Sequence, residues 1–107
     1  SRIKTYIGGG TQWQSVKTSN YTASAGEGVF MNTTSGALTL TLPASPSIGD
    51  EVTFVDYAGT FDSNNLTIAR NSSKIHGAEE DLTVAVERAA NTLVFTDSTQ
   101  GWLLKSK

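Results

Sequence analysis

The sequence predicts an all-β fold, an antiparallel β-sandwich or β-prism of roughly eight to ten short strands. Three observations lead there. Ser and Thr supply 27 of the 107 residues, apolar residues 37% and charged residues 17%, with ten Gly. The polarity is therefore neutral, and exposed positions lack the Glu, Lys and Ala that a helical bundle favours. Apolar and polar residues also alternate in short runs, the period of a strand with one buried face. Finally, no stretch sustains i, i+3, i+4 periodicity; the nearest, Glu79 to Ala90, fits period two at least as well.

Residues 1–10 read as a short connector strand, Arg2 to Ile7, followed by the hinge Gly8-Gly9-Gly10, and residues 11–107 as one β-domain. Opening on Ser1 rather than Met is expected of a fragment of a longer protein or of a short cloning scar. Strand-like runs then follow at Trp13 to Lys17, Tyr21 to Ala25 and Gly28 to Thr33. The clearest is Ala37 to Leu42, where Leu38, Leu40 and Leu42 share one face and threonines the other, so the leucine face must be buried. Pro43 and Pro46, with Gly49-Asp50, impose a loop. Glu51 to Tyr57 places Val52 and Phe54 on one face and Val55 and Tyr57 on the other, a pattern consistent with burial on both sides at its end. The turn-rich stretch Ala58 to Asn65 leads to Leu66-Thr67-Ile68. After it come Asp81 to Val86 with Leu82, Val84 and Val86 inward, then Asn91 to Asp97 and Gly101 to Lys105, joined by a connection of hairpin length with Gly at its end.

Eight basic against ten acidic residues leave a net charge of −2, too small and too scattered for a nucleic-acid or membrane-surface binder. Without Cys there is no disulfide framework and no thiolate chemistry. No apolar run is long enough to span a membrane, and no basic-then-apolar signal segment opens the chain, so membrane insertion is not expected.

Catalytic constellations are equally thin. The single His, His76, stands in Lys74-Ile75-His76-Gly77 without a G-x-S-x-G elbow and reads as a surface turn residue. One His cannot build a His-based zinc site. Glu79-Glu80-Asp81 lacks calcium-loop spacing and reads as a solvated turn, while the Asp62 to Asn65 run reads as satisfying local backbone groups. A glycan depolymerase would require Asp56 or Glu51 to face Asp97 across a cleft that the sequence does not indicate. The N-x-[ST] matches at Asn20, Asn32, Asn65 and Asn71 follow from composition. No catalytic residue, metal ligand or cofactor is expected. Among the aromatics Trp102, between apolar neighbours, reads as core; Trp13 and Tyr21, in polar runs, are the candidate ligand contacts, able to offer flat faces to a sugar ring.

In order and spacing, Gly36-Ala37-Leu38-Thr39-Leu40-Thr41-Leu42-Pro43, Gly49 to Gly59, Asn64-Asn65-Leu66-Thr67-Ile68, Ile75-His76-Gly77, Thr92 to Asp97 and Gly101-Trp102 resemble a β-rich domain that recurs in tail-fibre and other virion proteins of tailed bacteriophages. The resemblance runs from about Trp13 to Lys105 and supplies no catalytic motif. It implies a non-enzymatic structural or adhesive role in a virion appendage such as a tail fibre, spike or baseplate-associated protein. It also implies a location in the phage particle, a homotrimer, contacts with other virion proteins, and host attachment or receptor binding. A small chain with few large apolar residues gains burial by assembling, which suits the trimer. The alternative is a carbohydrate-binding module that recognises a bacterial surface glycan through exposed aromatics. The chain has no short repeat of the kind that builds a fibre shaft, which favours a knob or adaptor.

Overall fold

A computed structural model describes residues 10–105; the connector strand expected over residues 2–7 and most of the glycine hinge lie outside them. Nine strands follow in chain order: β1 (Gln12–Trp13), β2 (Tyr21–Thr22), β3 (Glu27–Met31), β4 (Leu38–Thr41), β5 (Glu51–Asp56), β6 (Leu66–Ala69), β7 (Leu82–Val84), β8 (Ala90–Phe95) and β9 (Trp102–Leu104). Each falls in or overlaps a run whose alternation predicts a strand, and the described residues contain no helix. The all-β class therefore holds.

The antiparallel arrangement does not. One sheet has the order β1-β3-β5-β8-β9 and the other β2-β4-β6-β7. In the first, β1, β3 and β5 run parallel; in the second, β2, β4 and β6 run parallel. Only β7, β8 and β9 enter antiparallel. Up to β6 the chain changes sheet at every connection, so each crossover between parallel neighbours is a strand of the opposite sheet, where α/β proteins use a helix. Both sheets are mixed, wound at the start and closed by hairpin-like pairings at the end.

One apolar core draws on both sheets: Val29, Met31, Val52, Phe54, Leu93 and Trp102 from the first, and Leu40, Leu66, Ile68 and Val84 from the second. Register stacks them in rows, with Val29 beside Phe54 and Leu40 between Tyr21 and Ile68. The leucine face of β4 is inward as expected, with Leu40 and Leu42 fully buried and Leu38 packed at the margin.

Two expected faces are corrected. Beyond Phe54 the inward position of β5 belongs to Asp56, while Tyr57 is 49% exposed, so the end of that strand is buried on one side only. Val86 is 67% exposed: β7 stops at Val84, and a turn in which the Ala89 N–H donates to the Val86 carbonyl carries Val86 outward. Phe61, in a stretch that reads as turn, is fully buried.

The connections are held by short polar side chains. Asp97 Oδ1 accepts the N–H groups of Thr99 and Gln100, and Gly101 closes the β8–β9 hairpin at φ +74°. Asn20, Asn32, Asn65 and Asn71 each bond a backbone group, at Thr39, Thr34, Phe61 and Leu42 respectively. The asparagines thus satisfy backbone groups that no ladder reaches, including the Thr39 N–H of β4 just before that strand's pairing with β2 begins.

Candidate functional site

The outer face of the first sheet carries the most exposed aromatic of the described residues. Trp13, on the edge strand β1, is 50% exposed. Parallel pairing sets it opposite Gly28 of β3, which is opposite Thr53 of β5, which is opposite Thr92 of β8. Its ring stacks on Phe30, with centroids 4.8 Å apart and planes at 24°. Val29 and Met31 are buried, and alternation turns Gly28 and Phe30 to the other side of β3.

Glycine at position 28 makes this possible. A Cβ there would lie 2.6 Å from the Trp13 ring and 2.6 Å from the Thr11 methyl, so the bare backbone is the floor on which the indole lies. One indole face is occupied by the sheet and by Phe30. The ring is held flat and is half exposed, an orientation that costs little further entropy when something stacks on it.

Tyr21 behaves differently. It lies on β2, at the edge of the other sheet, and its hydroxyl donates to Glu27 Oε1 at 2.8 Å. That hydrogen bond, with burial and the Glu27 charge adding to it, pushes the phenol pKa above its ordinary value. The Lys17 ammonium sits 4.4 Å from the ring centroid, a cation–π arrangement that occupies a face of the ring. Trp13 and Tyr21 therefore do not form one platform. The aromatic that completes the Trp13 pair is Phe30, whose outward position follows from its alternation with Val29 and Met31.

Beside this row lies a cavity of about 370 Å³, lined by Thr11, Gly26, Glu27, Asp50, Glu51 and Thr53 among others. Thr11 lines the cavity and also lies against the space the indole fills above Gly28, and Thr53, which lines the cavity too, is the register partner of Gly28 on β5. Glu51 Oε2 holds Lys105 Nζ at 2.9 Å, and Asp50 Oδ2 accepts the Ser47 N–H.

The carboxylates considered for acid–base chemistry are engaged elsewhere. Asp56 is 1% exposed; its Oδ1 accepts the N–H groups of Gly59 and Thr60 at 3.0 and 3.1 Å, and its Oδ2 those of Phe61 and Arg88 at 3.0 and 2.9 Å. Burial pushes this carboxyl up, but the four backbone donors outweigh it and hold the pKa below the usual range. Asp97 caps its own hairpin. His76 sits exposed at φ +51° in its turn, and Glu79, Glu80 and Asp81 are exposed.

No protein-family model matches the chain, and no curated protein matches it significantly.

Proposed function

We propose that the chain is a non-enzymatic structural and adhesive domain of a phage virion appendage, a tail fibre, spike or baseplate-associated protein, working as a homotrimer. One observation carries this reading: the residues that resemble the virion domain sit at framework positions. Asp56 of the G-D-x-V-x-F-x-D-Y-x-G run ties together the 59–61 loop and the turn at Arg88. Asn64 and Asn65 reach back to the carbonyls of Thr33 and Phe61. Gly101-Trp102 seats the last strand on the core against the Lys74 carbonyl. Such a run preserves a scaffold, which suits a module that holds subunits or presents a surface.

The experiment is the solution mass by sedimentation equilibrium over a wide concentration range. A stable species near three times 11.3 kDa is expected; a monomer throughout contradicts the trimer. The carbohydrate-binding alternative is favoured by a separate observation, the half-exposed indole stacked on Phe30.

A further inference from the structure

We infer that the Trp13 platform and the adjoining cavity together form a subsite for a hexopyranose unit of an uncharged or amino-substituted glycan. The inference rests on the adhesive part of the reading above and is independent of the oligomeric state. A pyranose presents axial C–H groups on its apolar face and hydroxyls around its rim, so a receptor needs one flat, rigid apolar surface with polar groups beside it. The indole supplies the surface. It is held flat because Gly28 has no Cβ and Phe30 backs it at 4.8 Å.

The rim groups are in place. Thr11 shares the space above Gly28 with the indole, Thr53 is the next residue along the same register row, and both also line the 370 Å³ cavity. That volume lies in the range of small-molecule sites, roughly 300–1,000 Å³. Beyond the threonines the lining carries Glu27, Asp50 and Glu51, with Lys105 paired to Glu51. Carboxylates accept hydrogen bonds from sugar hydroxyls and from ammonium or amide N–H groups, and they repel carboxylates. The site therefore selects neutral hexoses, hexosamines and N-acetylhexosamines over uronic or sialic acids. The neighbourhood also disfavours a protein partner's apolar anchor, whose pocket centre is depleted of charge.

The test is intrinsic fluorescence. Trp102 is fully buried and Trp13 half exposed, so the Trp102→Phe variant reports on Trp13 alone. Chito-oligosaccharides, malto-oligosaccharides and partly deacetylated chitosan oligomers are titrated against polygalacturonate. A saturable change with at least one of the first three, and none with polygalacturonate, is expected. Trp13→Ala in an otherwise native chain, followed by calorimetry, loses binding at least roughly tenfold, as truncation of a central aromatic anchor does, with its unfolding midpoint retained. Gly28→Ala, which displaces the ring while keeping it, weakens binding likewise. Silence across the uncharged and amino panel up to about 10 mM, equal binding of polygalacturonate, or undiminished binding by both variants overturns the inference. A trimer that is silent to every saccharide would remove this subsite and leave the assembly reading intact.

Discussion

Asp56 Oδ2 accepts the backbone N–H of Arg88 at 2.9 Å across 32 positions of sequence, and so fixes the turn before β8 against the end of β5. The same carboxylate takes three further N–H groups from residues 59–61. Asp56→Ala strands one buried donor, at Phe61, and three part-buried ones, and a loss of about 3–5 kcal/mol is expected. Urea denaturation measures it; a loss below about 1 kcal/mol would mean that the loop does not depend on this side chain.

The acid limb of the stability profile follows from the same group. Its folded pKa is depressed, so its contribution is complete above the unfolded value of about 3.9 and is lost as pH falls through the lower folded value. Stability should therefore drop below about pH 4. Asp56→Asn, already less stable at neutral pH, should show a shallower fall in acid. Parallel acid slopes for the two proteins would contradict the assignment.

Gly101 has φ +74°, and a Cβ there would collide with the Lys74 carbonyl, which accepts the Trp102 N–H at 2.8 Å. Because the obstacle is backbone, it cannot swing aside. Gly101→Ala should cost more than about 3 kcal/mol or abolish folding. Gly10→Ala meets nothing within 4 Å and should stay within about 0.5 kcal/mol of the parent.

Val84 and Val86 separate the observed end of β7 from the longer strand that alternation implies. Val84 is buried and Val86 is 67% exposed. Val84→Ala should cost about 1–3 kcal/mol, and Val86→Ser should be nearly neutral. Equal costs would put both residues inward and restore the longer strand.

Strand positions were legible because alternation over Leu38, Leu40 and Leu42, or over Val52 and Phe54, depends only on which face is buried. Strand direction was not, since parallel and antiparallel strands alternate identically, and Thr18-Ser19-Asn20 and Gly26-Glu27, which divide the first three strand-like runs, have hairpin length. The buried Asp56 was hidden for a different reason. A carboxylate points inward only where donors or cations meet it, and here those are amides from residues 59–61 and from Arg88, far apart in sequence. Phe61 enters the core through the same loop. Trp13 stood out through its polar neighbours, but its partner Phe30 is set by the β1–β3 register, which no local pattern encodes.

Parallel winding is what lays Trp13 beside Gly28 and Phe30, so the platform on that face depends on it. Interstrand nuclear Overhauser contacts in the isotope-labelled chain test it directly. The account predicts contacts that advance together along both strands, Gln12 with Glu27 and then Trp13 with Gly28, Gly28 with Thr53 and then Phe30 with Val55, and likewise Leu38 with Leu66 and then Leu40 with Ile68. Contacts in which one index rises as the other falls, at any of these pairs of strands, would contradict it.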